Sequence, residues 1–152
     1  MPAQTHLFLC LKDNYGVLLH DPASGATAAI DAPEAAPIET ALKTTGWPLS
    51  DILVTHHHAD HTGGIAELKQ RHGCRVVAPH AEAARIPLVD ATVREHDEVR
   101  VGSLRGRVRR APACQIGRRR RNDGKRRSIA LWRSLRRHDA AGQRVQVNSV
   151  RC

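Results

Sequence analysis

Aromatic residues are scarce in this 152-residue chain: Phe8, Tyr15, Trp47 and Trp132 are the whole set. Rings so few and so scattered do not build a stacking platform for single-stranded nucleic acid. The apolar runs are far shorter than the roughly 20 residues that cross a bilayer as a helix, so no membrane partner is expected. The opening Met1-Pro2-Ala3-Gln4 lacks a charged stretch followed by an apolar one, which argues against a secretory signal. The four cysteines (Cys10, Cys74, Cys114, Cys152) form no Cys-x-x-Cys pair. Together these absences predict reduced thiols and a cytoplasmic protein. Cys10 and Cys74 adjoin apolar strands and read as packed thiols.

Each end of the chain is poor in one sign of charge. Residues 1–100 hold 8 Lys and Arg against 13 Asp and Glu, whereas residues 101–152 hold 16 against 2. The net charge of +9 therefore averages two textures. The length bounds the chain at one domain. We divide it into a half-domain over 1–110 and an Arg-rich tail over 111–152. In the tail Arg118–Arg121 and Lys125–Arg127 dominate, and no period of 2 or 3.6 is sustained, so it is expected to be poorly ordered.

The first part alternates strands and helices. Strands are predicted over 6–11, 15–20 and 26–30, with Asp21-Pro22-Ala23-Ser24-Gly25 as a turn between the last two, which makes an antiparallel meander. Ile38, Ala41 and Leu42 lie at helical spacing within 36–44, and Gly46 follows. Asp51-Ile52-Leu53-Val54 is a compact apolar strand of the kind buried inside a sheet. A second helix spans 65–72 with Gly73 as its stop, a strand covers 75–78, and 98–101 with 104–108 form a hairpin over Gly102-Ser103. The pattern points to an α/β (α+β) arrangement.

The segment Thr55-His56-His57-His58-Ala59-Asp60-His61 follows the buried strand at once. Imidazole nitrogen suits a borderline-soft cation and carboxylate oxygen a hard one. An extended turn aims His56 and His58 at one metal and His57 the other way. After a bend, Asp60 and His61 can face a second metal. Gly63-Gly64 lets the backbone turn into the next helix. A loop leaving the carboxyl end of a strand is where open α/β sheets place ligands. A cloning tag is a plain terminal His run, and this cluster is interrupted and internal. His80 and His96 read as surface residues.

The string is similar to the His-x-His-x-Asp-His signature of the metallo-β-lactamase superfamily. With Asp13-Asn14-Tyr15, Asp31-Ala32-Pro33 and Ile52 to Gly64, residues 6–104 resemble hydroxyacylglutathione hydrolase, the glyoxalase II type. The resemblance implies the N-terminal half of an αββα sandwich. It also implies two zinc ions, with iron or manganese as alternatives, one held by His56 and His58 and the other by His61 and Asp60, the latter also catalytic. A metal-bridging hydroxide would hydrolyse S-D-lactoylglutathione to D-lactate and glutathione, so the partner would be a small glutathione thioester. Other branches, lactonases or phosphodiesterases, share the motif. A third reading is an inactive fragment with a basic tail that binds nucleic acid, a partner the scarcity of aromatics disfavours.

The resemblance stops short of the family's further ligands. The place of its Pro-Gly-His-Thr segment is taken by Pro112-Ala113-Cys114-Gln115, where Cys114 is an alternative thiolate ligand. Asp139, beside His138, has no Gly-Asp-Thr context. Arg136-Arg137-His138-Asp139, shifted by one nucleotide, can encode Gly-Asp-Thr, so the coding frame is expected to be shifted after about residue 110. With two ligands per metal and no bridging carboxylate, weak metal binding and impaired activity are expected.

Overall fold

The computed structural model describes residues 2–12, 14–110, 130–136 and 144–145. The predicted meander is present as β1 (Gln4–Cys10), β2 (Asn14–His20) and β3 (Thr27–Ile30). Then come α1 (Ala35–Thr45), β4 (Asp51–Leu53), the single turn α2 (Ala59–Thr62), α3 (Ile65–His72), β5 (Arg75–Pro79) and β6 (Ala91–Val93). α1 and α3 stop where glycine takes the left-handed conformation, Gly46 at φ 72° and Gly73 at φ 62°. Their N–H groups bond back to the carbonyls of Leu42 and Lys69. Neither α2 nor β6 has a counterpart in the sequence prediction, because each is too short to display a period.

These strands form one sheet in the order β1-β2-β3-β4-β5-β6, parallel from β3 onward. A second, antiparallel sheet contains β7 (Glu98–Val101), β8 (Leu104–Arg110), β9 (Ala130–Arg136) and β10 (Arg144–Val145). β7 and β8 are the predicted hairpin. β9 and β10 fall in the stretch expected to be poorly ordered. Their pairing runs through backbone groups, which need no side-chain alternation to find an open strand edge. The remainder of that expectation, and Cys114, His138 and Asp139, lie outside the described residues.

Alternation along the buried strands builds two cores. Leu18, Ala29, Ile52, Val54 and Val76 face Ile38 and Leu42 of α1 and Ile65 and Leu68 of α3. Their neighbours Leu19, Ala28, Ile30, Leu53 and Val77 face Val99, Val101, Leu104 and Val108 of the second sheet. This double burial explains the unbroken apolar run in β4. The result is a helix–sheet–sheet sandwich. Among the described residues no helical layer covers the far side of the second sheet, and none of the helices is long and apolar enough to cross a membrane.

One buried carboxylate ties the sheets together. Asp21 accepts hydrogen bonds from Ala23 N at 3.1 Å, Ser24 Oγ at 2.6 Å, and Ser103 N and Oγ at 2.7 Å each. Burial alone would raise its pKa, but the hydrogen bonds from Ser24, Ser103 and Ala23 outweigh it and hold the carboxyl far below the usual range. The β7–β8 turn closes on this site only with glycine: a Cβ on Gly102 would fall 1.8 Å from Ser24 Oγ.

Candidate metal centre

Three neighbouring parallel strands end at one edge of the first sheet. β3 delivers Asp31, β4 delivers Thr55 to His58, and β5 leads into Glu82. Asp31 stands at φ 61° directly after β3, a conformation Asp tolerates better than most residues, and its N–H bonds to Leu53 O at 2.9 Å. The loop is stitched back onto this segment by Ala32 N→His61 O and Gly64 N→Ala32 O, both 2.8 Å. Gly63 and Gly64 serve this approach rather than a special turn, since their φ values are −59° and −91°. A Cβ would lie 2.7 Å from Pro33 O at Gly63 and 2.6 Å from Ala35 N at Gly64.

The Asp31 carboxylate organises the donors. Its Oδ1 accepts from Thr55 N at 2.7 Å, and its Oδ2 from Thr55 Oγ1 at 2.7 Å and from His61 Nδ1 at 2.8 Å. Thr55 has a single hydroxyl proton, already donated to Asp31. Its Oγ1 therefore accepts from His56 Nδ1 at 3.0 Å. This assigns the tautomer of His56: protonated at Nδ1, with a bare lone pair at Nε2. Burial, then the charge of His61, holds His56 below its ordinary pKa. Its Nε2 faces His58 Nδ1 at 3.1 Å, and the His56 and His61 ring centres are 4.0 Å apart.

His61 behaves oppositely. Burial would lower its pKa, but the hydrogen bond and charge of Asp31, with help from Asp60, raise it. Its Nε2 stands 3.3 Å from Asp60 Oδ2. Orientation of a ligating imidazole by a carboxylate on its other nitrogen is the arrangement that fixes tautomer and raises basicity. The four predicted donors lie near one another: the His56 ring is 4.6 Å from that of His58 and 4.0 Å from that of His61, and Asp60 stands beside His61. Among the described residues no three His, Cys, Asp or Glu side chains converge as a metal-holding group. The imidazole nitrogens and carboxylate oxygens of the four donors are of the chemistry that suits divalent cations.

The His57 ring packs 4.9 Å from that of His58, so alternation does not separate it from the cluster. Its Nδ1 is in hydrogen-bond contact with Glu82 Oε2, and Arg85 Nη1 is 3.5 Å from its Nε2. His80 and His96 are exposed. Cys10 and Cys74 are buried free thiols; burial pushes both up, Cys10 to about 11. Sequence reasoning overlooked Asp31, Thr55 and Glu82 as site residues. For Asp31 the signal was an acidic residue directly after an apolar strand beside β4. For Glu82 there was none, because only the parallel pairing of β4 with β5 brings it near.

Comparison with known proteins bears on the fold and the family. Residues 8–124 match the Metallo-beta-lactamase superfamily profile. A hydroxyacylglutathione hydrolase of Rhodopseudomonas palustris is 64% identical over 112 residues, covering 74% of this chain and 44% of that protein. Another, from Nitrobacter hamburgensis, is also 64% identical with the same coverage, 74% and 44%. The chain thus spans less than half the length of these curated relatives. A subclass B3 metallo-beta-lactamase of Bradyrhizobium japonicum superposes with a TM-score of 0.66 at 20% identity, covering 88% of this chain and 54% of that one, which shows the shared fold. The profile, the sandwich and the histidine–aspartate loop at the carboxyl end of β4 agree, and the chain belongs to the metallo-beta-lactamase superfamily.

Proposed function

We propose that this chain is a metal-dependent hydrolase of the glyoxalase II type, acting on a glutathione thioester such as S-D-lactoylglutathione and working in the reducing cytoplasm. The observation that carries the metal reading is the network from Asp31 through Thr55, which leaves Nε2 of His56 unprotonated, facing His58, while orienting His61. The thioester follows from the relatives, which are named hydroxyacylglutathione hydrolases. The two buried free thiols support a reducing compartment.

In this reading His56 and His58 hold one cation, and Asp60 and His61 the other, zinc being the default for such donors. Bound divalent cations would supply an acidified water and a polarised carbonyl. The chain's own contribution is orientation. Asp31 fixes two imidazoles at once, and the Gly63-Gly64 contact holds α2 against the Pro33–Ala35 segment. With two donors per cation, binding is expected to be weak and turnover low.

The test is zinc content and thioester hydrolysis by the purified chain, with a lactone and a phosphodiester in parallel. Chelator-sensitive release of glutathione, slower than that of a full-length relative, is expected. Preference for the lactone or phosphodiester would move the chain to another branch of the superfamily. Zinc-free protein without thioesterase activity would remove the reading.

A further inference from the structure

The segment between β4 and α2 carries His56 and His58 with His57 between them. On one side it is pinned by Asp31 through Thr55. On the other, His57 Nδ1 meets Glu82 Oε2, and the Glu82 side chain is only 4% exposed. A carboxylate at that depth is costly without a strong donor. The segment holding it is itself braced, by Glu82 N→Pro79 O and Arg85 N→Glu82 O, each 2.9 Å. Pinning the ring of His57 fixes rotation of the backbone about the segment axis. It thereby restrains its neighbours His56 and His58: the rings of His57 and His58 lie 4.9 Å apart, and His56 Nε2 meets His58 Nδ1 at 3.1 Å.

We infer that Glu82 is a positioning residue for the donor pair His56 and His58, acting through His57. The inference rests on the metal reading above. It assigns Glu82 no contact with substrate or cation. Asp31 and Glu82 then form two clamps, one from β3 and one from β5, on the loop that leaves β4. A clamp of this kind is worth about tenfold or more in metal affinity.

The test uses cobalt titration of the full chain, read by its visible absorption and by competition with a chromophoric chelator. Glu82→Ala and His57→Ala should each bind cobalt about tenfold or more weakly, with an altered spectrum, while Glu82→Gln, whose amide oxygen accepts the same proton, retains most of the affinity. Thermal melting of the metal-free proteins separates this from a general loss of fold, and His57→Ala decides if Glu82→Ala does not fold. Unchanged affinity and spectrum in the alanine variants would overturn the inference. If the parent chain binds no cobalt, the metal reading fails on its own account. Imidazole 15N spectra of the metal-free proteins then decide: signals of His56 and His58 that move in Glu82→Ala and not in Glu82→Gln support the clamp, and signals that stay put overturn it.

Discussion

On the parallel side of the first sheet, Ile52, Leu53, Val76 and Val77 are covered from both faces. On the antiparallel side Leu7 and Leu9 remain 66% and 64% exposed. They share a face with Leu19, because Leu7 lies opposite Val17 and Leu9 opposite Tyr15, itself 61% exposed. That face looks toward the second sheet, and among the described residues the cover does not reach it. Every site residue is delivered by the covered side, at the ends of β3, β4 and β5. The chemistry and the open apolar strip are therefore separable, and substitutions on the two sides should behave differently.

The largest effect is expected at Asp31. Removing its carboxylate with Asp31→Ala strips the buried partner from His61 and the acceptor from two Thr55 donors, which should cost roughly 3–5 kcal/mol in urea unfolding and abolish zinc uptake. Next, Leu53→Ala should cost about 2–5 kcal/mol, because its core cavity is closed from both faces. Leu9→Ala should change stability by less than about 0.5 kcal/mol, and equal losses at the two positions would break the comparison.

Asp21→Asn comes third, with a loss of about 1.5–3 kcal/mol at neutral pH from the charge-assisted bonds to Ser24 and Ser103. Its carboxyl is held below its unfolded value of about 3.9, so the stabilisation is present above that pH and fades as pH falls through the lower folded value. The gap between parent and variant should stay constant from neutral down to about pH 4 and narrow below it, as denaturation at a series of pH values would show. Smallest in stability is the pair Leu7→Lys with Leu9→Lys: a change within about 0.5 kcal/mol, accompanied by a rise in solubility measured by precipitation, since an exposed apolar edge invites association.

Much of this was legible before the fold was known. The apolar strand 51–54 and the interrupted histidine cluster after it located the donors, because both are local patterns. Glycines 46 and 73 marked helix ends for the same reason. The supporting groups were not local. Asp31 meets Thr55 and His61 across 24 and 30 positions, and Glu82 meets His57 across 25. Only the parallel order β3-β4-β5 brings them together. Gly63 and Gly64 illustrate a subtler miss: the residues were noticed, but the close backbone they accommodate belongs to another segment.

The claim on which the account depends is that Asp31, acting through Thr55, sets His56 with its Nδ1 protonated and its Nε2 unprotonated. A zinc titration of the 15N-labelled chain, followed in long-range imidazole 1H–15N spectra, tests it directly. The account predicts that His56 is protonated at Nδ1 in the zinc-free chain, and that zinc shifts its Nε2 signal together with signals of His58 and His61. A zinc-free His56 protonated at Nε2, or zinc that leaves all three rings unmoved, would contradict it.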